Sequence, residues 1–318
     1  MNIKAFDLHC DTALELLGQD LRPIHALRKN GGHIDLTRGA ALEGYAQCFA
    51  LFTTPDMEKW MGRPATAVFD AMLENLTREL EYNGDLICQA RTPRQIRDNQ
   101  KAGKLSAVLT IEGPAGFGFD PARLEELWNR GFRITTLTWN EKNPLAGSHV
   151  TGGGLTDQGR EYIREAQRLG MVIDVSHISD EAFWDIMKVT EKPVIASHSN
   201  SRAVCGVSRN LTDDMFRAIS ETGGTVGQNL YTQFLGEKDV TVDTVCDHIF
   251  HFLEMDPQGS HISLGGDLDG CETLPAGFGG IQNYPDLADR LRSRGLSTEL
   301  VEKIFWENAL GVLERCQG

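Results

Sequence analysis

Several histidines and carboxylates of this sequence stand at the ends of short apolar runs, and they are residue types that bind divalent metal ions. His9 and Asp11 form a His-x-Asp pair at the end of the first run. Three later runs end in Glu112, His177 and His198. Because alternate residues of an extended strand point to the same side, His9 and Asp11 can reach one ion together. The sequence therefore predicts a metal site, and its nitrogen and oxygen ligands suit zinc best, with manganese or cobalt as substitutes.

The number of candidate ligands predicts two ions rather than one. A lone catalytic zinc takes three protein ligands and keeps one position for water, whereas three histidines and two carboxylates are offered here. A carboxylate has two oxygens and can bridge ions about 3.5 to 4 Å apart, so Glu112 is the predicted bridge. For any one of the histidines alone, a hydrogen bond to a loop above its strand is the simpler interpretation. Their joint occurrence at strand ends favours metal binding.

The scaffold that must gather these residues is indicated by eight short apolar runs, which are separated by helical patterns. Runs of this kind are typical of strands buried on both faces of a parallel sheet. They occupy residues 3–9, 45–52, 105–113, 132–139, 170–177, 192–198, 224–230 and 261–267. Eight such repeats without a nucleotide-binding glycine loop predict a (β/α)8 TIM barrel of the metal-dependent hydrolase type, with residues 1–318 as a single domain. In such barrels the catalytic groups converge at the carboxyl ends of the strands.

Helical patterns between the runs support this prediction. Apolar residues recur at helical spacing in residues 65–83, 155–169, 180–189, 213–221 and 242–255. Thr156, Ser179 and Thr212 lie at the starts of three of these stretches, each directly before an aspartate, and are suitable N-caps.

Other reactive residue types receive structural interpretations. Cys10 lies between the two residues of the His-x-Asp pair, points away from them, and is expected to be a buried packing thiol. Asp269 is expected to orient a loop. His248 and His251 lie one helical turn apart, and we expect them on a solvated or half-buried helix face rather than around an ion.

Composition restricts the class of partner. The 318 residues include 45 acidic and 31 basic side chains, with a net charge of −14, which argues against nucleic acid or an anionic membrane as a partner. Seven single cysteines without a C-x-x-C pair are typical of a reducing cytosol. The first residues lack the features of a secretory signal, and no eighteen apolar residues run together. We expect a cytoplasmic protein that binds a small molecule; its oligomeric state is open, with a homodimer as one option.

Eight motifs are spread in order over nearly the whole chain. They are DLHCDT (7–12), HIDLTRGAALEGYAQCFAL (33–51), TIEGP (110–114), TLTWNEKN (136–143), DVSHIS (174–179), ASHSNSRAV (196–204), SRNLTDD (208–214) and LGGDLDG (264–270). In residues and order they resemble the membrane (renal) dipeptidase family, the M19 metallopeptidases, and its microbial members in particular. The resemblance implies a dipeptidase with two Zn²⁺ ions per chain. His9 and Asp11 would ligate one ion, His177 and His198 the other, and Glu112 would bridge them.

The resemblance also implies roles outside the ligand set. Asp267 looks like the family's acid/base residue, which takes the proton of a hydroxide shared by the metals and delivers it to the departing amine. Arg209 looks like the arginine that grips the substrate's free C-terminal carboxylate, a task suited to a guanidinium fork. Without the resemblance, Arg209 is interpreted as a surface arginine that caps a helix. Trp139 and Asn229 complete the predicted substrate-binding residues.

Trp139 departs from the family pattern. Vertebrate members carry a histidine at this place, which is thought to polarise the scissile carbonyl, whereas tryptophan donates only through its indole N–H. Metal coordination of the carbonyl, Asn140, Asn143 or His149 must fill the role if it exists here. For His149, a solvent-exposed loop position is the simpler interpretation.

Three functions follow from these observations. The first is hydrolysis of small dipeptides with a free C-terminal carboxylate, including those with a D-residue on that side. The second is a related binuclear amidohydrolase that acts on N-acyl amino acids, lactones or phosphoesters. The third is a binding protein that holds a ligand without turnover, which the complete ligand set together with Asp267 disfavours.

Overall fold

A computed structural model describes residues 3–317 and arranges their strands in one parallel sheet that closes on itself. Strands β1 to β9 are Lys4–Cys10, Gly44–Phe52, Ile87–Gln89, Leu105–Glu112, Phe132–Thr136, Val172–Asp174, Val194–Ile195, Val226–Gln228 and Ile262–Leu264. Eight of them follow the order β7-β6-β5-β4-β2-β1-β9-β8, and the short β3 pairs with β4 outside this order. A parallel bridge between Ala196 and Val226 joins the two ends of the sheet. This nearly closed eight-stranded barrel confirms the predicted (β/α)8 fold.

The described residues also form fourteen α-helices, most of which surround the barrel. Helices α1 to α14 are Thr12–Glu15, Leu36–Gly39, Met57–Met61, Ala65–Tyr82, Pro93–Lys101, Leu124–Arg130, Asp157–Leu169, Asp180–Met187, Asp213–Glu221, Thr232–Leu235, Val242–Met255, Tyr284–Ser293, Thr298–Glu302 and Asn308–Gln317. Short 3₁₀ helices occupy Pro114–Phe117, Pro121–Arg123 and Ile281–Asn283, and a π-helical turn occupies Lys303–Glu307. The five predicted helices are α4, α7, α8, α9 and α11. Thr156, Ser179 and Thr212 cap three of them as predicted, since each side chain accepts a hydrogen bond from a backbone N–H of the first turn.

The last four barrel strands are shorter than the sequence predicts. They end before the residues expected to carry chemistry, which are His177, His198, Asn229 and Asp267. Two local causes are visible. The Asp174 carboxylate accepts hydrogen bonds from the backbone N–H groups of Ser176 and Ser197, and His177 and Asp267 adopt left-handed φ angles of 67° and 56° that end extended pairing. The sequence pattern also misses β3, because its three residues form no apolar run.

The barrel interior is filled by residues from alternate positions of the strands. They are Phe6, Leu8, Ala46, Cys48, Val108, Ile134, Val172 and Ile195. The end of the barrel opposite the carboxyl ends of the strands is closed by α14 and the turn before it. The Trp306 ring lies 6.1 Å from that of Phe6, and Lys192, just before β7, donates to the backbone oxygen of Cys316. Because the last helix closes the barrel that β1 begins, we propose that the chain forms a single domain.

The cysteines behave as packing residues. All seven are free and six are buried. Cys10 packs in the layer between barrel and helices, as predicted. Across residues 3–317, no helix is both long and apolar enough to cross a membrane.

Candidate metal centre

The five predicted ligands come together at the carboxyl ends of the strands. His9 and Glu112 lie at the ends of β1 and β4, and Asp11 follows β1 directly. His177 and His198 lie three residues beyond the ends of β6 and β7. Four of the five are buried, and Asp11 is partly exposed. We call His9 with Asp11 the first half-site and His177 with His198 the second half-site.

Glu112 lies between the half-sites and has one oxygen near each. Its Oε2 is 3.2 Å from His9 Nε2. Its Oε1 is 3.2 Å from His177 Nε2 and 3.8 Å from His198 Nε2. Two groups of three potential ligand atoms, one from each half-site and both including Glu112, have all their atoms within 4.8 Å of one another. These distances fit a carboxylate that bridges two ions.

Hydrogen bonds on the far side of the second half-site's imidazoles determine which nitrogen faces the centre. The Ser197 hydroxyl donates to Asp174 Oδ2 at 2.5 Å, so His198 Nδ1, 2.7 Å from the same hydroxyl oxygen, must donate to it. His177 Nδ1 lies 3.0 Å from Asn140 Oδ1, an amide oxygen that only accepts. Both Nε2 atoms therefore present lone pairs to the centre, as metal-binding imidazoles do.

The centre contains polar atoms that a cation would satisfy. His177 Nε2 and His198 Nε2 lie 2.9 Å apart with their lone pairs facing each other. Within residues 3–317, no hydrogen-bond partner is available to the buried atoms His9 Nε2 and Asp11 Oδ1. Imidazole nitrogens and carboxylate oxygens in this arrangement fit divalent ions such as zinc.

The first half-site rests on the buried carboxylate of Asp7. Asp7 Oδ1 accepts from the backbone N–H of His9 at 2.8 Å and from Gln47 Nε2 at 3.3 Å. Its Oδ2 accepts from the backbone N–H of Gly266 at 3.0 Å and from the Tyr284 hydroxyl. Asp7 therefore ties the end of β1 to the segment after β9.

The second half-site rests on Asp174 in the same manner. Asp174 Oδ1 accepts from the backbone N–H groups of Ser176 at 3.0 Å and Ser197 at 2.8 Å. Its Oδ2 accepts from the hydroxyls of Thr136 and Ser197, each at 2.5 Å. Neither Asp7 nor Asp174 is singled out by the sequence reasoning, although each is a charged residue inside an apolar run.

The two half-sites have opposite electrostatic character. Burial by itself lowers the pKa of His9, but the carboxylates of Glu112 and Asp11 outweigh it and raise that pKa well above its usual range. In the second half-site, burial, together with the positive charge of Arg209, holds the pKa of both histidines well below the usual range. Burial and the neighbouring carboxylates raise the pKa of Glu112 to about 8.

Asp267 faces the first half-site from the turn after β9. Its Oδ1 is 4.0 Å from His9 Nε2, and its Oδ2 accepts from Asn229 Nδ2 at 2.9 Å. Burial raises the pKa of Asp267. Asn229 is fully buried and is itself held by the backbone N–H of Tyr231. Asn229 contacts Asp267 and is not among the residues that line the cavity, and its contact with substrate stays a prediction.

Arg209 is buried beside the second half-site, which corrects its interpretation as a surface arginine. Its Nη1 donates to Ser199 Oγ at 2.7 Å and its Nη2 to the backbone oxygen of His198 at 2.9 Å. Its Nε finds no partner within the described part of the chain. The guanidinium carbon lies 5.6 Å from the centre of the Phe234 ring. Burial lowers the pKa of Arg209 to about 10, so the side chain is still charged at neutral pH.

A cavity of about 490 Å³ opens over this cluster, large enough for a small molecule. It is lined by Asp11, Leu14, Glu15, Phe52, Glu112, Trp139, Asn140, His177, Tyr231, Gln233, Phe234, Asp267, Asp269, Gly270 and Glu272. The sequence reasoning does not single out Tyr231 and Phe234. Their position directly after the seventh predicted strand could have indicated them, since loops at this end of a barrel carry function.

Among the candidates for the role left open by Trp139, the structure favours Asn140. The Asn143 side chain is hydrogen-bonded to backbone groups of its own loop. His149 has both ring nitrogens engaged, one of them with Asn140 Oδ1 at 2.8 Å, and it does not line the cavity. Asn140 does line it, and within residues 3–317 its Nδ2 makes no hydrogen bond. Trp139 also lines the cavity, with its ring 6.2 Å from that of His177.

Two further residues can be placed. Asp269 accepts hydrogen bonds from Thr12 Oγ1 and from the backbone N–H of His33, so it anchors a loop as expected. His248 is not on a solvated or half-buried face, which is a correction. It is fully buried, because α11 packs against the segments that contain Ser201 and Leu235. Its ring is hydrogen-bonded to the backbone N–H of Ser201 and the backbone oxygen of Leu235.

Two Schizosaccharomyces pombe proteins, each named an uncharacterized dipeptidase, are similar to this chain. One is 36% identical over 214 residues, which are 65% of this chain and 52% of that protein. The other is 32% identical over 302 residues, which are 90% of this chain and 72% of that protein. The match thus spans about half the length of the first relative.

Two solved structures are similar over the whole fold. A metallo peptidase from Rhodobacter sphaeroides, solved with a phosphinate mimic of the dipeptide L-Ala-D-Ala, is 28% identical with a TM-score of 0.89 and covers 99% of this chain and 100% of that one. A dipeptidase of family M19 is also 28% identical, with a TM-score of 0.90 and coverage of 100% of both chains. The family model of membrane dipeptidases matches residues 1–318. The resemblance in the motifs is confirmed, and the chain belongs to the membrane dipeptidase family, peptidase family M19.

Proposed function

We propose that the protein is a binuclear zinc dipeptidase that hydrolyses small dipeptides with a free C-terminal carboxylate. The observation that carries this proposal is the position of Glu112, with one oxygen 3.2 Å from His9 Nε2 and the other 3.2 Å from His177 Nε2. His9 and Asp11 would hold one ion and His177 and His198 the other. Two ions bound there would activate a water molecule and polarise the scissile carbonyl.

The residues around the centre supply the proton transfers and the orientation. Asp267 accepts the proton of the attacking water and delivers it to the departing amine, a role that suits a buried carboxyl with a raised pKa. Asn229 donates to Asp267 Oδ2 and so keeps Oδ1 turned towards the first half-site. Asn140 Nδ2 donates to the carbonyl oxygen, which fills the role that Trp139 cannot.

Arg209 binds the substrate carboxylate. Two of its five N–H groups are used by Ser199 and His198, and the others stay available to a second acceptor. The relative with an L-Ala-D-Ala mimic supports dipeptides with a D-residue at the C-terminal side as members of the substrate class.

The test is a substrate panel with zinc supplied after purification without chelator. L,L- and L,D-dipeptides are compared with N-acyl amino acids, lactones and phosphate esters, and bound metal is measured by mass spectrometry. We expect two equivalents of metal and turnover of dipeptides. Turnover of only the other classes would replace the proposal with the related amidohydrolase, and well under one equivalent of metal would leave a binding protein.

Replacement of Arg209 tests carboxylate recognition. Arg209→Met should raise KM for dipeptides about ten- to a hundredfold, because a charge-assisted hydrogen bond is lost. Arg209→Lys should not restore it, since an ammonium group lacks the fork. Arg202→Met is the matched control, because Arg202 lies in the same segment but pairs with Asp180. Equal KM values for all variants would exclude Arg209 as the carboxylate site.

We also propose that the protein works in the cytoplasm, which its seven free cysteines support. Sedimentation velocity tests the homodimer that is one option for its oligomeric state.

A further inference from the structure

Three aromatic side chains form a continuous surface at one side of the cavity. Phe52 ends β2, Trp60 lies on α3, and Trp139 follows β5; we call these three residues the aromatic wall. The ring centres lie 5.3 Å apart for Phe52 and Trp139, 5.0 Å for Trp60 and Trp139, and 6.4 Å for Phe52 and Trp60. Phe52 and Trp139 line the cavity, and Trp60 remains 42% exposed. Apolar surface of this kind inside a ligand cavity indicates contact with an apolar part of the ligand.

The aromatic wall lies across the barrel mouth from the residue proposed to bind carboxylate. Arg209 hydrogen-bonds His198 and Ser199, which follow β7. Around the closed barrel, β2, which ends in Phe52, is four strands away from β7 in either direction, and β5, which precedes Trp139, is two strands away. Arg209 lies in the segment between β7 and β8, and Phe234, whose ring is near its guanidinium, follows β8. A ligand with its carboxylate at Arg209 and its scissile carbonyl at the metal centre therefore extends its far end towards the aromatic wall.

The rest of the cavity lining is strongly acidic. Six carboxylates line it, namely Asp11, Glu15, Glu112, Asp267, Asp269 and Glu272. Lysine and arginine are absent from the lining that the structure describes, and the buried Arg209 adjoins it through the lining residue Phe234. Three of these carboxylates, Glu15, Asp269 and Glu272, lie outside the proposed metal ligands and acid/base residue and disfavour a second negative charge on the ligand. An uncharged apolar group instead meets complementary surface at the aromatic wall.

We propose that the aromatic wall is the subsite for the side chain of the substrate's N-terminal residue, and that it selects large apolar side chains such as leucine, methionine or phenylalanine. This inference rests on the proposed dipeptidase function, because the orientation of the substrate comes from Arg209. Trp139 and Phe52 contact the side chain. Trp60 is a positioning residue that packs against both rings.

The expected preference is large enough to measure. One missing methylene group in a hydrophobic pocket changes kcat/KM about tenfold or more. Leu-Ala should therefore be hydrolysed with at least about tenfold higher kcat/KM than Gly-Ala, and Glu-Ala should be the poorest of the three.

The test measures the ratio of kcat/KM for Leu-Ala over Gly-Ala in variants of Trp139. Trp139→Ala should lower this ratio about tenfold, mainly through KM for Leu-Ala, and Trp139→Phe should keep it within about threefold. The ratio for Gly-Leu over Gly-Ala, which varies only the C-terminal side chain, should not change in either variant. This second ratio separates a subsite from a general loss of activity.

Replacement of Trp60 keeps the test informative if Trp139→Ala does not fold. Trp60→Ala should lower the Leu-Ala to Gly-Ala ratio about threefold, because Phe52 and Trp139 lose the ring that they pack against. Trp60→Phe should restore the ratio. Trp184→Ala is the matched control. Trp184 is 40% exposed on α8, and its ring packs against Phe183 rather than against the aromatic wall. It should leave the ratio unchanged.

The outcomes distinguish this subsite from the proposed function itself. Dipeptide turnover with equal ratios in the wild type and in all variants would exclude the subsite while leaving the dipeptidase intact. A change in the Gly-Leu ratio instead would assign the aromatic wall to the other side chain and contradict the proposal. Absence of turnover for every dipeptide would remove the proposed function, and the subsite with it.

Discussion

The two half-sites are built on the same support but differ in what they offer to an ion. Beneath each lies one buried aspartate, Asp7 or Asp174, that accepts four hydrogen bonds. The first half-site presents one imidazole and the carboxylate of Asp11, with two buried atoms unpartnered among the described residues. The second presents two imidazoles that are held neutral.

If both half-sites bind ions as we propose, the two metal positions are unlike although they share Glu112. With the bridge included, the first half-site carries two carboxylates and one imidazole, and the second carries one carboxylate and two imidazoles. Carboxylate-rich sets suit manganese, whereas imidazole suits zinc. With one equivalent of each metal, we therefore expect zinc in the second half-site and manganese in the first.

The largest effect is expected from Glu112→Gln, which tests the carboxylate that the two half-sites share. The amide removes the negative charge from both positions, so both ions should be lost together and kcat/KM should fall about a thousandfold or more. Metal content after dialysis measures the first effect. Loss of only one equivalent would show that the half-sites are independent.

The supporting aspartates should separate the half-sites. Asp174→Asn should weaken the second half-site, and Asp7→Asn the first, each about ten- to a hundredfold in metal affinity, because outer hydrogen-bond partners orient the ligands. Competition with a chromophoric chelator, fitted to two sites, measures this, and each variant is the control for the other. An equal loss of metal affinity at both half-sites in either variant would show that the two aspartates do not support separate half-sites.

Gly270→Ala should act on the first half-site alone. A Cβ at Gly270 would lie 2.0 Å from Asp11 Oδ2 and 2.7 Å from Asp267 Oδ1, so the carboxylate of Asp11 must move. We expect about tenfold weaker binding at the first half-site, seen in the same chelator competition. Gly31→Ala is the control, since a Cβ there meets nothing within 4 Å. Unchanged affinity in Gly270→Ala would mean that Asp11 is not a ligand.

The smallest effect is a pH dependence of the metal-free protein. Burial raises the pKa of Glu112 from the usual 4.5 to about 8, so the folded protein keeps a proton that the unfolded chain releases. Its stability should therefore fall as pH rises from 7 to 8, and the raised pKa of His9 acts in the same direction. Zinc affinity should rise over the same range, because the ion displaces that proton. Thermal unfolding in EDTA measures the first trend, and Glu112→Gln should reduce its slope, because only His9 then contributes in this direction.

The proposed metal ligands, which the structure brings together, could be predicted from the sequence because their types and positions are informative. His9, Glu112, His177 and His198 follow apolar runs, and strand ends converge in a barrel. Their exact placement could not be predicted, since the last strands end early where Asp174 binds backbone groups.

The sequence gives weaker indications of the supporting aspartates, Asp7 and Asp174, and of the aromatic wall. Asp7 and Asp174 interrupt apolar runs, and a buried charge implies hydrogen-bond partners, but the sequence does not say which. Trp60 and Trp139 are brought together only by closure of the barrel, with no fixed spacing between them. The same holds for Arg209, whose burial depends on contacts with Ser199 and His198.

The central claim is that Glu112 joins two ions in one centre, and electron paramagnetic resonance of the manganese-loaded protein tests it most directly. Ions about 3.5 to 4 Å apart across a bridging carboxylate are magnetically coupled. We expect the spectrum of isolated Mn²⁺ at one equivalent and that of a coupled pair at two equivalents. A spectrum of isolated ions at two equivalents would contradict it.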